Sequence, residues 1–134
     1  MVSLHPDELR RRRLQDGQLV TLKSRRGSLV LPVHSDDSVR SGHAYLPMHW
    51  GDRFLKGLGT NVLTSPAFDP LSKQPELKHA AVEVSKVDLP WQLFALVEGD
   101  VQNRLGALRP LLEGFTYASL VPCGREHPAL VLRA

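Results

Sequence analysis

The sequence predicts a mainly β fold: a small barrel over residues 1–87 that carries short helices, then a small α+β extension over 88–134. Three observations predict it. Short alternating apolar runs, bounded by Gly, Pro or Asp, recur through the first 87 residues. One connection, Gly51 to Gln74, has little periodicity and is punctuated by glycines at 51, 57 and 59 and prolines at 66 and 70. A loop of that length inside a compact domain is uncommon and usually functional. At Asp88-Leu89-Pro90 the pattern changes, to one amphipathic helix followed by strands.

Taken in order, His5-Pro6-Asp7-Glu8 reads as a helix start. Proline suits the first helical position, and acids in the first turn oppose the helix dipole. The helix runs to about Leu14, and Asp16-Gly17 turns the chain. Gln18–Ser24 and Ser28–His34 are strands joined by Arg25-Arg26-Gly27, which makes a hairpin. Pro32 places the second of these at a sheet edge or on a bulge, because proline gives no N–H to a ladder. His43–Met48 is a third strand, ended by Pro47, and His79–Val87 a further one. These short strands with one long loop fit a small barrel. Further on, Gly99-Asp100 caps a helix over Val101–Leu112, with apolar residues at 101, 105, 108, 111 and 112 on one stripe. Pro110 requires a kink or an early end. Tyr117–Val121 and Ala129–Leu132 are strands.

The bulk numbers exclude several classes. No run approaches the ~20 apolar residues of a membrane-spanning helix. The first residues lack the basic start and apolar core of a secretion signal. A single cysteine, Cys123, rules out an intrachain disulfide and a multi-cysteine cluster from this chain. A reducing, cytoplasmic setting is the simplest expectation. The net charge of +3 is uneven: residues 1–40 hold eight Lys/Arg against five Asp/Glu, and the remainder nine of each. The excess centres on Arg10–Arg13 and Arg25-Arg26. Such clusters mark polyanion contact or a solvated helix face, and the nearby Asp7, Glu8 and Asp16 favour the second.

The chemistry-bearing residues concentrate between His43 and Val84. Gly57-Leu58-Gly59 is not a dinucleotide fingerprint, since no third glycine follows and no βαβ unit frames it. His43, His49 and His79 lack metal-ligand spacing, and no nucleophile with a base partner can be assembled, so no metal or catalytic residue is assigned. Trp50 beside Gly51 offers a ring that can cover a flat heterocycle. Asn61 offers the donor and acceptor that read a purine or pterin edge. Lys78 offers charge to a phosphate or a polar ring edge. Each has a plainer alternative: a core Trp, a turn Asn, a strand-edge Lys.

The order of several motifs goes further. His5-Pro6-Asp7-Glu8-Leu9, Leu14-x-Asp16-Gly17-x-Leu19-Val20, Ser24-Arg25-Arg26-Gly27, Leu46-Pro47-Met48-His49-Trp50-Gly51, Asn61-x-Leu63-Thr64 and Asp69-Pro70-Leu71-Ser72-Lys73 through Lys78 follow one another. Together they resemble the C-terminal molybdopterin-dinucleotide-binding domain of molybdenum oxidoreductases, most nearly that of bacterial assimilatory nitrate reductases. The resemblance is strongest over residues 2–87. It implies a six-stranded double-psi β-barrel forming one wall of a bis-molybdopterin guanine dinucleotide site. It places Asn61 and Lys78 on cofactor-contacting positions, and Met48, His49 and Trp50 near the pterin. Ala80 stands where relatives often have Cys. The molybdenum-ligating Cys, the iron–sulfur motif and the nucleotide-binding α/β domains of such enzymes have no counterpart in this sequence. The implied partners are therefore the other domains of a catalytic subunit and an electron donor, and the isolated chain is expected to be inactive. The competing reading is a stand-alone basic barrel that binds nucleic acid or another polyanion through the Arg clusters. Against it, none of the eight aromatic residues lies in the basic first third.

Overall fold

A computed structural model describes residues 1–48, 56, 59–76, 79–124 and 126–134. The chain divides into two compact units, residues 1–49 with 58–88, and 50–57 with 89–134.

The first unit contains β1 (Val2–Leu4), α1 (Pro6–Arg12), β2 (Leu19–Lys23), β3 (Ser28–Ser35), β4 (Ala44–Tyr45), a 3-10 turn (Gly59–Leu63) and β5 (Glu83–Lys86). The strands form one sheet in the order β4-β1-β3-β2-β5. β1 pairs parallel with β3, Val2 opposite Val33, and the other neighbours are antiparallel. Side chains alternate across β3, so Leu29, Leu31 and Val33 reach the core beside Val2, Leu4, Val20 and Leu22.

α1 begins as its sequence predicts. The His5 imidazole accepts the Asp7 N–H at 3.2 Å, Pro6 opens the helix, and Arg13 ends it in the left-handed region at φ 53°. The arginine run is largely occupied on the helix itself: Arg10 pairs with Asp7, and Arg11 and Arg12 with Glu8. Glu8 is buried all the same, at 4% exposure.

The β2–β3 hairpin forms as expected, with Ser24 Oγ accepting from the N–H groups of Arg26 and Gly27 across its turn. Pro32 is a correction. β3 is an interior strand and Pro32 is buried within it, opposite Leu19. The Val33 N–H donates to Gln18 O on the β2 side, so position 32 faces the β1 side, where pairing begins only at Val33. The missing N–H therefore costs no ladder bond. β4 and β5 are shorter than their apolar runs, and β1, three residues long, adds a strand that pattern reading misses. Five strands are present among the described residues of this sheet.

No α-helix or strand lies among the described residues of 51–74, but that connection is not shapeless. Residues 67–76 form a small hairpin. Phe68 bridges Pro75, the Asp69 N–H donates to Gln74 O, and the Glu76 N–H donates to Ala67 O. At its tip the Asp69 carboxylate accepts from the N–H groups of Leu71 and Ser72 and from Ser72 Oγ.

The second unit contains β6 (Phe94–Glu98), α2 (Val101–Leu108), a 3-10 turn (Arg109–Gly114), β7 (Ser119–Cys123) and β8 (Ala129–Arg133). The strands form an antiparallel sheet in the order β6-β8-β7. Asp100 caps α2 by accepting the Asn103 N–H at 2.9 Å, and Pro110 stands where the α-helix gives way to the 3-10 turn. Leu105 and Leu112 pack with Leu120, Leu130 and Leu132 in a separate core. The Lys56 ammonium donates to the carbonyls of Glu113 and Phe115 at the end of that turn. β6 is absent from the sequence reading. Its two faces are both apolar, Phe94 and Leu96 on one and Ala95 and Val97 on the other, so no alternation marks it.

Candidate functional site

Between β4 and the Gly59–Leu63 turn lies a cavity of about 350 Å3. Ala44 and Tyr45 of β4 continue into Leu46, Pro47 and Met48 along one wall. Thr60, Asn61 and Thr64 make the other, and Leu22, Ala80 and Val82 the base. Residues at or beside the two edge strands of the sheet line it together. Flat, five strands would hold β4 and β5 about 19 Å apart, while a cavity of this volume is only about 9 Å across. Val82, the residue before β5, and Tyr45 of β4 line it together. The sheet is therefore curled.

The polar wall is set by close packing. A Cβ on Gly27 would stand 2.6 Å from the Val62 side chain, so the β2–β3 turn seats the Gly59–Leu63 turn directly. Gly59 opens that turn at φ 70°, a left-handed conformation that suits glycine. The Asn61 carbonyl accepts the Thr64 N–H and hydroxyl at 3.2 and 3.1 Å. The Asn61 side chain is exposed, and among the described residues its amide has no hydrogen-bond partner. A primary amide presents one acceptor and two donors. The exposed side chains of Tyr45 and Met48 line the same cavity.

Of the residues singled out from sequence, Asn61 and Met48 line this one cavity. His49, Trp50 and Lys78 lie outside the described residues. Tyr45, Thr60 and Thr64 are lining residues that sequence reasoning missed. Thr64 had a signal, as the last position of Asn61-x-Leu63-Thr64; Tyr45 had none beyond its strand. The Asp69-Pro70-Leu71-Ser72-Lys73 motif has an architectural explanation. Hydrogen bonds from the Ser72 backbone and hydroxyl, then from the Leu71 backbone, hold the Asp69 carboxyl below its ordinary value, and Lys73 turns back over the Phe68 ring at 5.4 Å. Among the described residues no three His, Cys, Asp or Glu side chains converge on a metal site. No helix among them is long and apolar enough to cross a membrane.

A curled sheet with an open cavity, lined by apolar side chains together with Tyr45, Thr60, Asn61 and Thr64, marks the first unit as a small β domain with a candidate binding site. Residues 1–81 match the family described as "Molydopterin dinucleotide binding domain", and the chain belongs to that family. This membership supports the molybdopterin guanine dinucleotide cofactor that the motifs imply. The chain is 30% identical over 133 residues to a nitrate reductase of Klebsiella oxytoca, covering 98% of this chain and 15% of that protein. It is 30% identical over 86 residues to the F420-dependent formate dehydrogenase subunit alpha of Methanocaldococcus jannaschii (64% of this chain, 12% of that protein). It is 29% identical over 83 residues to the assimilatory nitrate reductase catalytic subunit of Bacillus subtilis (62% and 11%). The chain thus spans 15% or less of the length of these relatives.

Proposed function

We propose that this chain acts as the C-terminal domain of a molybdenum-dependent nitrate reductase, one wall of its bis-molybdopterin guanine dinucleotide site. The single observation that carries this is the Asn61 amide, without a hydrogen-bond partner among the described residues, on the wall of the curled-sheet cavity and inside the family-matched residues. The cavity fits the ligand chemically. At about 350 Å3 it is at the small end of ligand pockets, which suits one bicyclic ring system better than a whole dinucleotide.

Asn61, with the hydroxyls of Thr60 and Thr64 beside it, reads the polar edge of the ring, and Tyr45 and Met48 cover its apolar face. Lys78, His49 and Trp50 complete the contacts in this reading. When bound, the molybdenum cofactor supplies the oxygen-atom transfer that converts nitrate to nitrite. This domain supplies position and hydrogen bonds, and no metal ligand. Residues 1–87 are the cofactor-facing domain and 88–134 the extension. The parallel pairing of β1 with β3 supports placing the curled sheet in the six-stranded double-psi barrel class. The remaining domains of the catalytic subunit are the partners, and the setting is cytoplasmic. Nitrate is favoured over formate because the match that runs through the extension, over 98% of the chain, is to a nitrate reductase, although the shorter matches, of 62–64%, include both classes. The polyanion reading is weakened, since Arg10, Arg11 and Arg12 are paired with acids on their own helix.

The test is a titration of the chain with guanosine monophosphate, alongside an assay with nitrate and a reduced viologen. Nucleotide binding is expected, weakened about tenfold by Asn61→Leu, the scale of one lost hydrogen-bonding group. No nitrate turnover is expected. Turnover by the chain alone would overturn the reading.

A further inference from the structure

The wall opposite Asn61 is thinly supported by its own strand. β4 is two residues long and, among the described residues, pairs only with β1, at Ser3 with Tyr45 and Leu4 with Ala44. It is a sheet edge, and residues 41–45 are exposed throughout. A ladder this short holds little by itself. Yet Tyr45 and the following Leu46–Met48 must keep a fixed distance from Asn61 for the cavity to have a shape.

The second tie comes from α1. Glu8 divides its two carboxylate oxygens between different tasks. Oε2 stays on the helix, accepting from Arg11 at 2.6 Å and from Arg12. Oε1 leaves the helix, accepting the Ser41 hydroxyl and the Gly42 N–H, each at 3.2 Å. Gly42 stands two positions before β4. A hydrogen bond to an ionised acceptor is roughly twice as strong as a neutral one. The arginine pair keeps the buried carboxylate in that charged form.

We propose that Glu8 is a positioning residue for the cavity: its Oε1 fixes the entry into β4 and thereby holds the Tyr45–Met48 wall opposite Asn61. The inference rests on the cavity being the cofactor-facing site. It assigns the stability of α1 to the arginine side of Glu8 and the shape of the site to the Ser41–Gly42 side, so the two can be separated by substitution.

Glu8→Gln retains an oxygen for Ser41 and Gly42 but gives up the charge that pairs with Arg11 and Arg12. Glu8→Ala gives up both. The double variant Arg11→Gln/Arg12→Gln gives up only the pairing. Ser41→Ala removes one donor from the Oε1 side and leaves the arginines in place, so it serves even if Glu8→Ala does not fold. Amide hydrogen exchange on the full chain is the primary readout, with guanosine monophosphate affinity the second. Glu8→Ala is expected to speed exchange over residues 41–48 about tenfold relative to the β2–β3 hairpin, and to weaken nucleotide binding by a similar factor. Ser41→Ala should do the same by a few-fold. The arginine double variant should melt earlier but stay within about twofold of the parent on both readouts, and Glu8→Gln, left with a neutral acceptor, should fall between the parent and Glu8→Ala. The proposal falls if exchange over 41–48 rises only in step with the hairpin in Glu8→Ala and Ser41→Ala. It also falls if the arginine double variant loosens 41–48 as much as Glu8→Ala does. If the parent chain binds no guanosine monophosphate, the cavity reading fails, and hydrogen exchange still decides whether Glu8 holds β4.

Discussion

Gly27 has no side chain because Val62 occupies the space one would need. The ideal Cβ position is 2.6 Å from Val62 Cγ2 and 3.0 Å from its carbonyl oxygen, and the carbonyl cannot simply rotate away. Gly27→Ala is therefore expected to destabilise the chain by about 1–3 kcal/mol, the usual range for overpacking. It should also shift the amide resonances of Asn61 and Val62 more than those of β1; unchanged stability and unmoved resonances would show that the two turns do not bear on each other. Glu8 gives a second residue-scale prediction. Burial pushes its carboxyl up, but hydrogen bonds from Arg12 and Ser41 and the charges of Arg12 and Arg11 outweigh that and hold it below the ordinary glutamate value. The unfolded chain thus binds the proton more readily. The contribution of Glu8 is complete above the unfolded value and is lost as pH falls through the depressed folded one. Melting temperatures taken from about pH 6 down to about pH 3 should fall for the parent and fall less steeply for Glu8→Gln, the remaining slope coming from Asp36 and Asp69, whose carboxyls are also held low. Sequence showed Glu8 only as an acid in the first turn of a helix. Its burial depends on Ser41 and Gly42, more than thirty positions away, and no local pattern carries that information.

At the scale of elements, what was legible was what is local. His5-Pro6 marks α1, Gly27 marks the β2–β3 turn, Asp100 marks α2, and each acts within a few residues of itself. β1 and β6 were illegible for different reasons. β1 is three residues whose strand character comes from a partner at Val33–Ser35. β6 is apolar on both faces, so it shows no period of two. Pro32 misled because proline is excluded from ladders one side at a time, and its open side falls where β1 has not yet begun. α2 contains an element-scale weakness. Gly106 lies in the helix interior, and nothing stands within 4 Å of an added Cβ. Gly106→Ala should stabilise the second unit by about 0.5–1 kcal/mol, read by urea denaturation followed at Trp91. A destabilised variant would mean that space is filled when the chain is in solution.

For the whole molecule, the two units divide the work unequally. Every described residue that lines the cavity belongs to the first, and the family match ends at residue 81, before β5. The second unit has its own sheet, core and capped helix. The ordered motifs pointed to the class of cofactor, because Asn61 and its neighbours are contiguous in the chain. They did not point to the cavity itself, because it is lined from both edges of the sheet, by β4 and by the residues leading into β5, and that depends on how far the sheet curls. Tyr45 and Val82 are 37 positions apart and become neighbours of one space only through that curl.

The hairpin at residues 67–76 carries a consequence for the order of assembly. Its hydrogen bonds all close within ten residues, from Ala67 to Glu76. Hairpins form on their own in roughly 1–10 μs. β1, by contrast, must find β3 across 31 positions, a non-local parallel pairing of the kind that folds slowly. The hairpin can therefore be complete while the sheet is still open, and it removes its residues from the free length of chain joining β4 to β5. A shorter free loop costs less entropy to close. Asp69, through the turn it pins, therefore bears on the closing of the loop between β4 and β5 as well as on the hairpin itself.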